Sequence, residues 1–142
     1  VGYLVLDRFY PNELDEAIRT AHADKVPVCE AETNLFGFNH GTVGGLLAQK
    51  WGLPTPLEHA IRYHHSVSED TEHQQLSAII AVADFLAHSA GLCNNSPEGI
   101  ATVDPTAMEI AGVQEQQLQV VSEVMMKEVT NAQTAFSVPL AA

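Results

Sequence analysis

The stretch NHGTVGGLLAQKWGLPTPLEHAIRYHH, residues 39–65, decides the fold, because it contains the signals of two consecutive helices. Asn39 stands where a helix N-cap is expected, and apolar or small residues then recur at helical spacing. The sequence GLP ends this helix, and Thr55, Pro56 and Glu58 form the usual start of another, with Thr55 as the N-cap. The residues predicted to share one face of the first helix are His40, Val43, Gly44, Leu47 and Trp51.

Gly44 and Gly45 lie in the middle of the first of these helices. Each glycine costs about 1 kcal/mol relative to alanine inside a helix. We therefore expect close contact with another helix at this point to offset the cost, and a kink in the helix is the alternative.

Helix signals continue on both sides of this stretch, whereas strand signals are scarce. The fold class predicted from them is all-α, a compact bundle of about six helices. The stretch at 73–92 is nearly apolar all round, which predicts the central helix of the bundle. The other predicted helices span 12–25, 27–37, 104–112 and 113–136, and a loop is predicted over 91–99.

Composition indicates one globular domain over residues 1–142, because 46% of the chain is hydrophobic. The formal charge of -12 repels phosphate backbones and anionic lipid surfaces, so neither a nucleic-acid nor a membrane partner is expected. No signal peptide or membrane span is recognisable, and Cys29 and Cys93 match no metal or redox motif, which favours two free thiols in the cytoplasm. Residues 137–142 are expected to be a frayed tail.

Three features of the sequence could carry chemistry: His40 at a helix start, the adjacent pair His64 and His65, and Asp84. Adjacent histidines diverge around a helix, so the pair by itself is a weak signal for a single metal ion, which prefers ligands at i and i+4. Taken singly, His64 fits a hydrogen-bonded core histidine, and His40 fits a surface or capping residue. Both interpretations stay open beside the metal site.

Asp84 is the lone acid of the apolar helix at 73–92. A buried carboxylate must be paired, hydrogen-bonded or metal-bound, and removing its partner costs about 3–5 kcal/mol. We therefore expect Asp84 to meet one or more of the three candidate histidines. The remaining histidines, predicted to be solvated, are His22, His59, His73 and His88.

Nucleophilic catalysis has no support in the sequence. No Ser, Cys or Lys lies in a nucleophile motif such as G-x-S-x-G, and no glycine-rich loop precedes a helix in the manner of a phosphate-binding loop. No catalytic residue is therefore assigned.

Residues 39–65, followed by LSAIIAVADFLAHSAGL, resemble the HDOD domain, a bacterial output domain related to the HD superfamily of metal-dependent phosphohydrolases. The similarity extends over about residues 1–125 and is most specific between 36 and 92. It implies that a His-Asp dipeptide and further helices lie upstream of Val1. In the related enzymes, the positions matching His40, His64, His65 and Asp84 bind a divalent metal such as iron, manganese or zinc.

The sequence departs from the catalytic members of that superfamily. After the histidine pair, SVSEDTEHQQ lacks the acidic residue and the Gly-Tyr-Pro loop that mark the cyclic-dinucleotide phosphodiesterases. Phosphoester hydrolysis also requires cationic groups around the phosphate, and the chain has only six Lys and Arg.

Three hypotheses follow from the resemblance. The preferred one is a non-catalytic signalling domain with a protein partner, in which the four candidate residues form a vestigial metal site and no cofactor is needed. The second is a metal-dependent phosphohydrolase that holds a divalent ion at those residues. The third is a helical half of a larger protein, packed on a preceding segment. The sequence indicates neither the partner nor the oligomeric state.

Overall fold

The computed structural model describes residues 1–92 and 102–136, and all regular structure in these ranges is helical. The all-α class is therefore confirmed, with eight α-helices rather than about six. The sequence patterns predict no helix in the first ten residues, where α1 lies. Most of the predicted loop, Cys93 and the predicted tail at 137–142 lie outside the described residues. The helices are α1 Gly2–Phe9, α2 Pro11–Asp24, α3 Val28–Phe36, α4 His40–Lys50, α5 Thr55–Tyr63, α6 Gln74–Ser89, α7 Pro105–Ala111 and α8 Glu115–Phe136, with a 3₁₀ turn at Val67–Glu69.

The helix boundaries follow local signals that the sequence displays. The side chain of Asn39 accepts a hydrogen bond from the backbone N–H of Thr42 at 3.0 Å, so the predicted cap of α4 is confirmed. Gly37 ends α3 with a φ of 79°, a left-handed conformation that glycine adopts without a steric penalty. Thr55 is wrong as an N-cap, because α5 already includes it and Pro54 occupies the cap position. Pro54 and Pro56 fit the start of α5, because the N–H group that proline lacks has no hydrogen-bond partner in the first turn of a helix.

Gly44 and Gly45 allow α4 and α5 to pack closely together. A Cβ atom on Gly44 would lie 2.8 Å from Cγ2 of Ile61, and one on Gly45 would lie 2.6 Å from Cβ of Arg62. Both distances are shorter than real side chains tolerate. The predicted close helix contact is therefore confirmed, and α4 continues without interruption through both glycines.

Among the described residues, two small clusters of buried apolar side chains form, and other buried apolar residues, such as Leu6 and Leu86, lie outside both. The first cluster joins α2 to α3, and the second joins the 3₁₀ turn to α6 and α7. Most members are alanines, which let helices approach but bury little area each. The first cluster contains Ala17, Ala21, Val28 and Ala31, and the second contains Val67, Ala78 and Ala107.

The helix α6 is not the central helix of the bundle that its composition predicts. Its buried residues, Ser77, Ala78, Val82 and Leu86, lie on one side. On another side Ile79 and Ile80 are 46% and 39% exposed. The apolar composition therefore reflects one packed face and one exposed face. Even so, no helix in the described parts of the chain is long and apolar enough to cross a membrane.

Candidate functional site

The three candidate histidines come together because α4 and α5 are joined by a short turn and lie side by side. His40 begins α4, and His64 and His65 directly follow the end of α5. One ring nitrogen from each histidine lies within 4.8 Å of the other two. The nearest pair is Nε2 of His40 and Nε2 of His65, at 3.0 Å. A fourth residue, Gly41, makes room for this arrangement, because a Cβ there would lie 3.3 Å from the ring of His64.

A buried carboxylate from α3, which the sequence interpretation misses, holds His40 in place. One oxygen of Glu32 (Oε2) accepts the backbone N–H of His40 at 2.9 Å and lies 2.7 Å from Nδ1 of its ring. Glu32 has no exposed surface, and its other oxygen, Oε1, has no hydrogen-bond partner in the described structure. The signal in the sequence was its position on the apolar face of α3, four residues after Val28. Acids on such a face need a partner.

Hydrogen-bond partners determine which ring nitrogens carry protons when the histidines are neutral. Nδ1 of His64 lies 2.8 Å from the carbonyl oxygen of Ile61, which can only accept, so His64 is protonated there. Its Nε2 has no hydrogen-bond partner among residues 1–92 and 102–136. Glu32 likewise places the proton of His40 on Nδ1. Nε2 of His40 is then an acceptor, and His65 donates to it. Glu32, His40 and His65 thus form a hydrogen-bonded chain from the interior to the surface.

The surroundings keep two of the histidines uncharged at neutral pH. Burial, followed by repulsion from His40, lowers the pKa of His64. The ring of His65 opens to solvent, yet protein surrounds it closely enough that burial, together with His64 and His40, lowers its pKa to about 3. Neutral imidazoles are the form that donates and accepts hydrogen bonds or binds metals.

Asp84 faces the same cavity as the three histidines, but its ion pair is with another residue. Its Oδ2 lies 3.3 Å from Nδ1 of His88, one turn further along α6. Burial raises the pKa of Asp84, but the hydrogen bond from His88 and the charges of His88, His65 and His64 outweigh it, so the pKa is lowered. The prediction that His88 is solvated is wrong, since the i, i+4 spacing from Asp84 places it in this pair.

A second polar cluster lies around Asp70, whose side chain is buried. The two oxygens of Asp70 bind Ser77 Oγ at 2.5 Å and His59 Nδ1 at 2.8 Å, and also accept two backbone N–H groups, of Glu72 and His73. The rings of His59 and His73 have centroids 5.0 Å apart. Both histidines are partly buried, so the prediction that they are solvated is wrong. His59 lies eleven residues before Asp70 in the sequence, which hides its contact, whereas His73 lies only three residues after it.

A cavity of about 510 Å³ is lined by members of both apolar clusters and contains the site. The three histidines lie along its wall with Asp84 and His88, beside apolar side chains from α3, α6 and α7. Among the described residues that line the cavity, none is Lys or Arg. The further lining residues are Tyr3, Pro27, Val28, Cys29, Val67, Ala81, Phe85, Thr102, Val103, Asp104, Pro105 and Ala107.

The histidine cluster fits a metal ion in part. Two nitrogens bound to one zinc ion lie about 3.3 Å apart, given bonds of about 2.0–2.1 Å. The 3.0 Å between His40 and His65 is close to this value, and the carboxylate behind His40 is a common support for a metal-binding histidine. Asp84 does not belong to the group of converging ligand atoms. The described residues therefore bring three nitrogen ligands together, and Asp84 as a fourth ligand stays a prediction.

Comparisons with known proteins agree with the resemblance seen in the sequence. The family model of the HDOD domain matches residues 1–67, a shorter span than the resemblance predicts. A protein of Treponema pallidum (strain Nichols), itself uncharacterised, is 28% identical over 86 residues, which are 60% of this chain. The chain spans only 17% of that relative.

A crystal structure from Marinobacter aquaeolei VT8 has the same fold. It superposes on 89% of this chain with a TM-score of 0.68 and 20% sequence identity, and the chain spans 27% of its length. That protein carries the provisional description of a signal transduction protein.

Proposed function

We propose that the chain is an HDOD-type, non-catalytic module of a bacterial, cytoplasmic signalling pathway that acts by binding a protein partner. The match of residues 1–67 to the HDOD domain family supports this proposal. The fold neighbour's description as a signal transduction protein supports a role in signalling. The histidines then have a structural role, in which the hydrogen-bonded chain of Glu32, His40 and His65 fixes the positions of α3, α4 and α5.

The observation that carries the non-catalytic role is the charge of the cavity wall. Phosphoester hydrolysis develops negative charge on the phosphate, which enzymes stabilise with Arg, Lys or metal ions. The described wall contributes the carboxylates of Asp84 and Asp104 and no Lys or Arg. A phosphate entering this cavity would therefore be repelled.

The second candidate, a metal-dependent phosphohydrolase, is favoured by one observation, the convergence of three histidine nitrogens within 4.8 Å. His40, His64 and His65 would hold the ion, and a bound divalent metal would activate water for attack on a phosphoester. In this role Glu32 would keep His40 oriented toward the ion.

Hydrolysis of bis(p-nitrophenyl) phosphate and of cyclic di-GMP in the presence of Mn²⁺ or Fe²⁺ separates the two candidates. We expect the native chain and His65→Ala to release product no faster than the uncatalysed reaction in buffer that contains the same metal ion. Turnover by the native chain that His65→Ala abolishes would overturn the proposal and establish the phosphohydrolase.

A further inference from the structure

The cavity is large enough for a small-molecule ligand, and its lining has the usual character of a binding site. Ligand sites of about 300–1,000 Å³ combine an apolar wall with a few polar groups that fix orientation. This cavity, of about 510 Å³, falls in that range. One stripe of α6 faces it, formed by Ala81, Asp84, Phe85 and His88 at helical spacing.

The charges on the wall select the kind of ligand. Two carboxylates, Asp84 and Asp104, line the cavity, and no described lining residue is Lys or Arg. Asp84 retains a half-buried side chain, 33% exposed, so a ligand in the cavity can reach it. Asp104 is the N-cap of α7 and keeps one oxygen, Oδ1, on the N–H of Thr106. His64 and His65, whose pKa values are lowered, can add hydrogen bonds without adding an opposing full charge. His88 is different, because its hydrogen bond with Asp84 raises its pKa and its positive charge offsets part of the charge of that carboxylate.

One feature of the wall favours the opposite charge. The start of α3, at Pro27, Val28 and Cys29, also faces the cavity, and a helix N-terminus carries a partial positive charge. That effect is worth about 0.3–1 kcal/mol at an exposed helix end. It corresponds to about half a unit charge, and His88 adds at most one unit more. Together they stay below the two full charges of Asp84 and Asp104, so the wall as a whole favours a cation.

We infer that this cavity binds a small organic ammonium ion, with the ammonium group at Asp84 and an apolar body against Phe85 and Val28. The inference goes beyond the proposed function, since it assigns a ligand class to the cavity whether or not a partner protein binds elsewhere. Such a ligand would allow the signalling module to respond to a small molecule.

Calorimetric titration of the 142-residue chain with three ligands of matched shape tests the inference. The ligands are n-butylammonium, butan-1-ol and butanoate, titrated at pH 7 with EDTA present so that no metal ion can bridge an amine to the histidines. We expect n-butylammonium to bind at least tenfold more tightly than butan-1-ol, and butanoate to bind no better than the alcohol. Equal affinity for all three, tighter binding of butanoate, or no binding of the ammonium ion would overturn the inference.

A charge-removing variant locates the site. Asp84→Asn should weaken n-butylammonium binding at least tenfold, whereas the matched control Asp7→Asn, at an exposed acid of α1 outside the cavity lining, should leave it unchanged. Equal losses in both variants would contradict the inference, because the effect would then come from the net charge alone. Thermal unfolding identifies a variant that fails to fold, and the comparison of the three ligands on the native chain still decides the question. Hydrolysis is measured separately, so loss of this inference leaves the proposed function standing.

Discussion

Glu32 is the residue on which the position of His40, and so the histidine cluster, depends most directly. It accepts two hydrogen bonds from His40, one from the backbone and one from the ring, and it has no exposed surface. Removing a buried acceptor leaves its donors unsatisfied, at about 1–3 kcal/mol. The histidines supply the chemistry of the site, and Glu32 fixes the ring from which the network extends to His65.

Replacement of Glu32 should therefore destabilise the whole chain. We expect Glu32→Ala to lower the free energy of unfolding by about 1–3 kcal/mol, measured by urea denaturation. The matched control is Glu30→Ala, an exposed acid in the same helix, which should change it by less than about 0.5 kcal/mol. Equal effects of the two variants would show that Glu32 does not support His40.

The cluster around Asp70 makes the chain sensitive to acid. Burial raises the pKa of Asp70, but hydrogen bonds from Ser77, His59 and two backbone N–H groups lower it further, from 3.8 to about 2. A carboxyl group whose pKa is lowered by folding stabilises the folded state above its unfolded pKa. That contribution is lost as the pH falls from about 4 toward 2.

The acid dependence can be assigned to this carboxyl group by mutation. Between pH 4 and pH 2, the native chain should lose more stability than Asp70→Asn, which cannot be protonated at this position. Chemical denaturation at several pH values gives both curves. Parallel curves would contradict the assignment.

Single residues were predicted unevenly from the sequence. Local signals predicted the two adjacent helices and the short turn between them, whereas only the resemblance to a family implied that His40, His64 and His65 share a site. Glu32 and the partners of Asp70 depend on contacts between elements, and a pattern along one element cannot show which residue of another it meets. The partner of Asp84 is a different case, because His88 lies one turn away on the same helix. The i, i+4 spacing alone therefore predicts this pair.

Among the helices, the contact of α4 with α5 positions the site. It depends on Gly44 and Gly45, at which a Cβ atom would meet Ile61 or Arg62 at less than 3.0 Å. Gly44 also lies beside α1, since its Cβ would be 3.3 Å from the backbone nitrogen of Gly2. Three helices therefore meet at this position.

Alanine at position 44 should destabilise the chain although alanine favours helix. The gain from helix propensity is about 1 kcal/mol, while overpacking costs about 1–3 kcal/mol, so we expect Gly44→Ala to lower stability by up to about 2 kcal/mol. Leucine lacks the Cγ2 atom of Ile61, so Ile61→Leu in the same chain should recover part of the loss. A double-mutant cycle by urea denaturation measures the coupling. Higher stability of Gly44→Ala would contradict close packing here.

Local signals predicted most of the helices, because caps, glycines and prolines act within a few residues. The sequence patterns do not predict the helix α1, whose residues show only a resemblance to a family. They also do not predict how much of α6 is exposed. Composition alone cannot distinguish a central helix from one with Ile79 and Ile80 on an exposed side.

In the molecule as a whole, α8 contributes no fully buried residue, although a stripe that includes Leu118, Met125 and Val129 is half-buried. None of its 22 residues is buried, and Val120, Val124 and Phe136 are more than half exposed. The stability of the remaining helices therefore owes little to it. The stripe of apolar residues along α8 predicts that this segment is helical. It does not predict whether the helix packs against the other helices.

Removal of α8 should leave the bundle intact. A chain ending at Gln114 should unfold cooperatively, with a Tm within a few degrees of that of the native chain, because α8 contains no fully buried residue and its removal exposes little packed area. Differential scanning calorimetry gives both values. A loss of cooperativity, or a Tm lower by more than about 10 °C, would show that α8 packs on the bundle in solution.

The central claim is that the histidine cluster holds the fold together without a metal ion, and the metal content of the protein tests it most directly. Elemental analysis of the purified chain after dialysis should find iron, manganese and zinc each at less than about 0.1 atom per chain. The hydrogen bond between His40 and His65 occupies the Nε2 atoms of both residues, two of the ring nitrogens that an ion would use, and Glu32 holds Nδ1 of His40. One or more equivalents of iron, manganese or zinc that survive dialysis, and that are lost in His65→Ala, would contradict the account.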